Sequence, residues 1–287
     1  MIPGSFAYHR PNSAQEAVKL LAELGEEARP IAGGHSLIPM MKLRLARPEH
    51  LVDLGKLAEL KFIREEAGEL LIGAMTTQHE LIASEPLAKK IPVIREAALV
   101  IADPQVRYQG TLGGNIANGD PGNDMPALML MLDATYEVLG KGGSRRLKAR
   151  AFYQGAYFTA LAPGEIVIAV RIPVPAAGHG WAYEKLKRKV GDYATAAAGV
   201  ILEIKSGKCT AAAIGLTNLG ETPLLAVSAA AALVGTSLDA AALARAAAAA
   251  EAQVAPASDG RGPAEYRRKV AGVVLRRAIE RAKSRAA

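Results

Sequence analysis

The segments AGGHS, at residues 32–36, and TLGGNIA, at residues 111–117, decide how this sequence is interpreted. Paired glycines allow a left-handed backbone and carry no Cβ, so successive N–H groups can close on an anion. Each segment also holds a hydroxyl residue, Ser36 in the first and Thr111 in the second, and neither contains an acidic side chain. Either segment alone is typical of a tight turn in an α/β protein. Together they predict two loops that bind a diphosphate from opposite sides.

The two best-known glycine-rich phosphate motifs are absent from the chain. No G-x-G-x-x-G is present, which argues against a Rossmann dinucleotide-binding domain. No G-x-x-x-x-G-K-[ST] is present either, which argues against a P-loop nucleotidase. A dinucleotide held by two separate glycine segments therefore indicates another architecture.

Turn residues and hydrophobic periodicity predict two α+β lobes before residue 173. Ser13 and Glu16 have capping-box spacing at the start of a helix over 12–25, and Gly25 is a suitable end. A short strand over 29–32 then leads into the first glycine segment. Further predicted elements are strands at 50–54, 69–73, 136–139 and 166–172, and helices that begin at Thr77 or cover 93–101 and 126–132.

The segment PVPAAG, at residues 173–178, is the best candidate for a linker. After it the pattern changes to strands first and helices later, which favours an α+β domain over βαβ units. The predicted strands cover 182–188, 196–204 and 208–217, with a turn at Ser206 and Gly207, and the predicted helices lie near 223–234, 239–253 and 263–284.

Length and charge limit the function classes. A chain of 287 residues suggests about two domains. No apolar run reaches the ~18 residues of a membrane span, and the N-terminus lacks a signal pattern, so a cytoplasmic protein is expected. The net charge of +7 lies within residues 261–287, which contain nine Lys/Arg and two Glu. This local charge, without interleaved aromatic residues, predicts no nucleic-acid binding.

The cysteine and histidine content excludes metal chemistry on this chain. Cys209 is the single cysteine, so it can form neither an internal disulfide nor the ligand set of an iron–sulfur cluster. We expect it to be a small buried residue of a strand. The five histidines lack metal-ligand spacing, and no metal is assigned.

Four stretches resemble the FAD-binding medium subunits of molybdenum hydroxylases, and among them the carbon monoxide dehydrogenase flavoproteins. They are AGGHSLIPMMKLRLARPEHLVDL (32–54), TLGGNIANGDPGNDMPA (111–127), AYEKLKRKVGDYATAAAGV (182–200) and SDGRGPAEYRRKVAGVVLRRAIERA (258–282). The resemblance implies an α+β protein with a two-lobed FAD-binding domain of the PCMH (vanillyl-alcohol oxidase-like) type at 1–176, its lobes at about 1–55 and 56–176. A C-terminal domain at 177–287, with a three-stranded antiparallel sheet and a helix bundle, is implied to follow.

The resemblance also implies non-covalent FAD and the residues that bind it. Asp124 would bind the ribityl or ribose group, although it also suits a helix N-cap. Tyr193 would cover one face of the flavin ring, although a core position in a strand is the alternative. Lys185 would lie at the flavin edge, a place that Lys187, Arg188 or Lys189 could take instead. The implied contacts are Ala32, Gly33, Gly34, His35, Ser36, Thr111, Leu112, Gly113, Gly114, Asn115, Asp124, Leu161, Lys185 and Tyr193.

The implied function is electron transfer within carbon monoxide dehydrogenase. A large subunit would oxidise CO with water at a molybdenum–copper molybdopterin centre, and a small subunit would relay the electrons through 2Fe-2S clusters to FAD. A dimer of heterotrimers, a quinone or cytochrome acceptor, and the inner face of the cytoplasmic membrane are further expectations. The alternatives are a flavin subunit for nicotinate, aldehydes or purines, a stand-alone oxidase with FAD attached covalently to His35, and a basic adaptor without a flavin.

Overall fold

A three-stranded parallel sheet forms the first lobe of the chain, whose computed structural model describes residues 2–287. The helix predicted over 12–25 forms over Ala14–Leu24 and is capped at its C-terminal end by Gly25, where φ is +67°. The Ser13 hydroxyl accepts from the Glu16 amide, but the Glu16 carboxylate accepts from Asn12, so the second half of the capping box is displaced by one residue. The elements are β1 (Ala7–His9), α1 (Ala14–Leu24), β2 (Ala28–Ile31), α2 (Leu37–Lys42) and β3 (His50–Asp53), with the strand order β1-β3-β2.

A five-stranded antiparallel sheet with several short helices forms the second lobe. Thr77 and Glu80 complete a capping box there, as their spacing predicts. The strand order is β4-β5-β10-β6-β7, and β8 and β9 form a separate hairpin. The elements are β4 (Ile63–Glu66), β5 (Glu69–Gly73), α3 (Gln78–Ala83), α4 (Glu85–Lys90), α5 (Pro92–Val100), α6 (Pro104–Gln109), α7 (Leu112–Ala117), α8 (Asp124–Met131), β6 (Thr135–Gly140), β7 (Gly143–Lys148), β8 (Tyr153–Gly155), β9 (Phe158–Thr159) and β10 (Ile166–Pro173).

The C-terminal part has strands first and helices later, and the α+β class is confirmed. Its antiparallel sheet contains the three predicted long strands and a fourth of two residues, which shortens the helix expected from 223. Buried Cys209 lies in a strand, as predicted. The elements are β11 (Gly180–Leu186), β12 (Ala196–Lys205), β13 (Lys208–Thr217), β14 (Leu224–Leu225), α9 (Val227–Ala231), α10 (Ala240–Gln253) and α11 (Ala264–Arg285).

Helix α8 joins the second lobe to the C-terminal sheet, because every one of its residues is buried. Two glycines of that sheet allow the helix to lie directly on it. A Cβ on Gly199 would stand 2.6 Å from Leu128 Cδ2, and one on Gly215 would stand 2.3 Å from the Ala127 carbonyl oxygen. The close packing fixes Asp124, the first residue of α8, against the C-terminal sheet.

Among residues 2–287, no helix combines the length and the apolar character that crossing a bilayer requires.

Candidate functional site

The first glycine segment forms an open loop between β2 and α2. Gly34 has φ of +73°, a left-handed conformation that side chains with a Cβ adopt at a cost. Its carbonyl accepts from the Ile38 amide at 2.9 Å, which begins helix α2. Within residues 2–287, no acceptor pairs with the N–H groups of Gly33, Gly34, His35 and Ser36. Four successive free donors next to a left-handed glycine form a cradle for an anion.

The second glycine segment is the start of helix α7, so the prediction that it forms a loop is wrong. Thr111 caps α7, because its hydroxyl accepts from the Gly114 amide at 3.0 Å. The Gly113 amide donates to the Ala74 carbonyl at 2.8 Å, and the Asn115 amide donates to the Thr111 carbonyl at 3.1 Å. Neither glycine of this segment has a positive φ. These amides are therefore satisfied within the protein.

The glycines of the second segment provide close packing. A Cβ on Gly113 would lie 2.5 Å from Ala74 Cβ, and one on Gly114 would lie 2.9 Å from Thr111 Oγ1. Ala74 leaves no room for a side chain at position 113, and the Thr111 hydroxyl leaves none at position 114.

The two glycine segments lie against each other. A Cβ on Gly33 would stand 2.2 Å from the Gln109 carbonyl oxygen and 2.8 Å from Gly110 Cα. A Cβ on Gly114 would stand 3.6 Å from the Cβ of Ala32. The free amides of the first segment therefore lie beside the capped start of α7, so the structure brings the two predicted halves together although only one half offers free donors.

Asp124 and Lys185, predicted separately, form one buried ion pair. Lys185 Nζ lies 2.7 Å from Asp124 Oδ2, and the two side chains are 2% and 5% exposed. The Tyr183 hydroxyl donates to Asp124 Oδ1 at 2.6 Å. Asn123, the residue before α8, occupies the N-cap position, so the interpretation of Asp124 as an N-cap is wrong.

The other cations near Lys185 have different surroundings. Lys187 Nζ donates to the Val100 carbonyl at 3.1 Å, at the C-terminal end of α5, where a cation is favourable. Burial and repulsion by Lys185 lower the pKa of Lys187. Arg188 and Lys189 are both exposed, and Arg188 donates to Asp192 and to the Gly260 carbonyl.

Tyr193 lies in the loop between β11 and β12 and is 39% exposed, so the alternative of a core strand residue is wrong. Its ring lies over Gly122, where a Cβ would come within 3.0 Å of Cδ1. The Arg261 guanidinium lies 5.5 Å from the ring centroid, within range of a cation–π interaction. Burial and the neighbouring Asp120 carboxylate raise the pKa of the phenol.

Two ion pairs of Asp192 hold the loop that carries Tyr193. The Asp192 carboxylate accepts from Arg188 at 2.7 Å and from Arg261 at 3.3 Å. The hydrogen bond from Arg188 and the charge of Arg261 keep the pKa of Asp192 below its usual value, although burial opposes this. These two ion pairs of Asp192 therefore fix the backbone next to Tyr193.

Leu112 is fully buried in the core, and the other remaining predicted residues lie at the surface or at the core boundary. His35 is exposed within the first loop, and Ser36 is half-buried there. Leu161 is half-buried and packs against the core that α5 and α8 share with β11. Among residues 2–287, no three His, Cys, Asp or Glu side chains are grouped so that they could hold a metal ion.

Two contributors to the site were missed from the sequence. Tyr183 contacts the same carboxylate as Lys185, and the two residues are two positions apart on one strand, so they share a face. The alternation of side chains along a strand could therefore have identified Tyr183 from the sequence. The close approach of Gly33 to Gln109 could not be predicted in this way, since it joins segments that are far apart in the chain.

Comparison with known proteins shows the family to which this chain belongs. The FAD binding domain of molybdopterin dehydrogenase matches residues 4–175, and the C-terminal domain of CO dehydrogenase flavoprotein matches residues 181–282. The carbon monoxide dehydrogenase medium chain of Afipia carboxidovorans is 67% identical over 100% of this chain and 99% of its own length. The glyceraldehyde dehydrogenase medium chain of Sulfolobus acidocaldarius is 35% identical over 98% and 99% of the two chains.

A solved structure has the same fold over the whole length. It is a reconstituted CO dehydrogenase from Oligotropha carboxidovorans, with a TM-score of 0.99 and 67% identity over 100% of both chains. The chain therefore belongs to the FAD-binding medium-chain family of the molybdopterin dehydrogenases, which includes the medium chains of carbon monoxide dehydrogenase.

Proposed function

We propose that this chain is the FAD-carrying electron-transfer subunit of a carbon monoxide dehydrogenase. The overall reaction is CO + H2O → CO2 + 2H⁺ + 2e⁻, and bound FAD takes up the two electrons and releases them to an acceptor. The single observation that carries the proposal is the loop over 33–36, whose four successive amides have no acceptor among the described residues 2–287. Full-length identity of 67% to a carbon monoxide dehydrogenase medium chain supports the choice of reaction.

The first loop fits the diphosphate of FAD. Its free N–H groups supply hydrogen-bond donors, the Ser36 hydroxyl can add another, and AGGHS has no carboxylate that would repel the phosphates. The same loop exposes His35, the residue that a covalent flavin linkage would use. We propose non-covalent binding, with His35 ordering the loop.

The other predicted residues complete the proposed site from the side of α7 and the C-terminal sheet. Asp124 offers its remaining carboxylate lone pairs to hydroxyl groups of the cofactor. Tyr193, on its fixed loop, shields one face of the flavin ring from water and favours a quinone acceptor over NAD. The proposed contacts on this side are Thr111, Leu112, Gly113, Gly114, Asn115, Asp124, Leu161, Lys185 and Tyr193.

Lys185 acts on the flavin indirectly in this proposal. Its charge is neutralised by Asp124 at 2.7 Å, so it orients that carboxylate and is not a free cation at the ring edge.

Partner subunits supply the chemistry that this chain lacks. We propose a large subunit with the molybdenum–copper molybdopterin centre and a small subunit with 2Fe-2S clusters, assembled as a dimer of heterotrimers in the cytoplasm. A quinone or cytochrome takes the electrons at the inner face of the membrane. The exposed side chains of Arg276 and Arg277 on α11 suit an anionic surface there, at about 1 kcal/mol per cation. The domain division at 176/177 belongs to the same proposal.

The experiment uses the chain purified together with the subunits that accompany it. CO should bleach the flavin absorbance at 450 nm in the complex, whereas the chain alone should respond to dithionite but not to CO. Reduction by nicotinate, an aldehyde or a purine, without reduction by CO, would replace the assignment with a related hydroxylase. After acid precipitation, a yellow supernatant supports non-covalent FAD, and a yellow pellet would support the His35-linked oxidase.

A further inference from the structure

We propose that Tyr183 is a positioning residue that fixes the Asp124 carboxylate for FAD, so that the C-terminal sheet sets the affinity for the cofactor. The proposal rests on the proposed function. Tyr183 is buried in β11, and its hydroxyl donates to Asp124 Oδ1 at 2.6 Å. Asp124 begins α8, which belongs to the second lobe. The contact thus joins the C-terminal sheet to the first residue of a lobe helix.

The proton of this hydrogen bond stays on the tyrosine. Burial and the adjacent Asp124 charge both raise the pKa of Tyr183 well above its usual value. The Thr217 hydroxyl is the other neighbour of the phenol oxygen, at the longer distance of 3.4 Å. A charged carboxylate at 2.6 Å is the better acceptor, because charge-assisted hydrogen bonds are shorter and stronger than neutral ones.

Asp124 is held at both oxygens from the same strand. Tyr183 donates to Oδ1, and Lys185, two residues further along β11, contacts Oδ2 at 2.7 Å. An ionised carboxylate accepts about four hydrogen bonds, so lone pairs remain for hydroxyl groups of a ligand. With one donor on each oxygen, rotation of the carboxylate would break both contacts. The remaining lone pairs therefore keep one direction, which lowers the entropy that binding would otherwise cost.

The strand that carries these donors is itself held at Glu96 of α5. Glu96 Oε1 accepts from the Tyr183 amide at 3.2 Å and from the Arg281 guanidinium, while Oε2 accepts from Arg285 at 2.7 Å. Tyr183 is thus fixed at both ends: Glu96 holds its backbone, and Asp124 holds its hydroxyl. The position of the carboxylate depends on this chain of contacts through α5, β11 and α11.

The test compares two buried tyrosines. Tyr183→Phe removes the hydroxyl and keeps the ring, and the FAD dissociation constant should rise about tenfold, measured by flavin fluorescence after the flavin is stripped from the full chain with its accompanying subunits. Tyr136→Phe is the matched control, since Tyr136 is equally buried but its hydroxyl pairs with Tyr153 at 2.9 Å. It should lower the melting temperature and leave the FAD dissociation constant unchanged.

The Asp124→Asn background separates positioning from general destabilisation. If Tyr183 acts through the carboxylate, Tyr183→Phe should change FAD affinity less than twofold once Asp124 is an amide. Lys185→Met is a second variant, and in the presence of Asp124 it should weaken FAD binding as Tyr183→Phe does. The proposal is overturned by an unchanged dissociation constant in Tyr183→Phe, by an equal rise in Tyr136→Phe, or by a full effect in the Asp124→Asn background. A wild-type complex that takes up no FAD would instead refute the proposed function.

Discussion

Gly33→Ala tests whether the contact between the two glycine segments is required for FAD binding. The added Cβ would lie 2.2 Å from the Gln109 carbonyl oxygen, whereas ordinary contacts begin at 3.4 Å. The neighbours at Gln109 and Gly110 are backbone atoms, so no side-chain rotation relieves the overlap. The segments must separate by about 1 Å, and overpacking of this kind costs ~1–3 kcal/mol.

The separation moves the free amides of the first loop away from the start of α7. We expect the FAD dissociation constant to rise about 10- to 100-fold, which corresponds to about 1.4–2.8 kcal/mol. Gly33 has no positive φ, so the contact is the reason for the effect. The assay is fluorescence titration of the flavin-free protein with FAD, accompanied by thermal melting.

Gly142→Ala is the matched control. A Cβ on Gly142 meets no atom within 4 Å, and φ there is not positive, so affinity and melting temperature should stay as in the wild type. The reasoning fails if Gly33→Ala binds FAD as the wild type does, because the two segments would then be free to move apart without consequence.

Three further perturbations address the loop, the aromatic residue and a buried charge cluster. Gly34→Ala should weaken FAD binding, because a residue with a Cβ at φ of +73° is strained by ~1–2 kcal/mol. Gly25→Ala, at φ of +67° with open space for a Cβ, is the control and should lower stability without changing FAD affinity. An equal loss of FAD binding in both variants would point to global strain. Tyr193→Ala should brighten flavin fluorescence and alter the rate with quinone while FAD affinity changes little, and unchanged spectra and rates would remove Tyr193 from the site. Burial is the strongest single influence on Glu137 and raises its pKa, but the hydrogen bonds and charges of Arg171, at 2.6 Å, and Arg146 together keep that pKa below its usual value. This pair therefore contributes stability above the usual glutamate pKa that is lost as pH falls, so Arg171→Met should cost more in urea unfolding at pH 7 than below about pH 4; a cost independent of pH would assign the effect to packing.

Local chemistry carried most of the fold prediction. The hydroxyl of Ser13, the capping box at Thr77 and the left-handed Gly25 act within a few residues of themselves, so their patterns are visible in the sequence. The apolar stretch of α8 has no polar face, and this local pattern predicts a buried helix. The two-residue strand β14 has no such pattern, because its pairing with Gly215 and Leu216 depends on the rest of the sheet.

The contacts among the candidate site residues were not predicted from the sequence. The amides of Leu112 and Gly113 in the second glycine segment donate to the carbonyls of Thr76 and Ala74, which lie more than thirty residues earlier. Lys185 is paired with Asp124, which lies sixty-one residues away in the chain. Contacts over such separations follow from packing, which no local spacing reveals.

Helix α8 has a consequence for how this protein can be divided. Its residues are buried on every side, partly by Gly199 and Gly215 of the C-terminal sheet. A protease that cuts in the segment over 174–178, between β10 and β11, would leave two fragments that stay bound to each other, because separation would expose the apolar residues of α8 to water. The two parts of the chain therefore cannot be exchanged independently. A chimera that replaces the C-terminal domain must keep glycine at the positions of Gly199 and Gly215, which lie against α8.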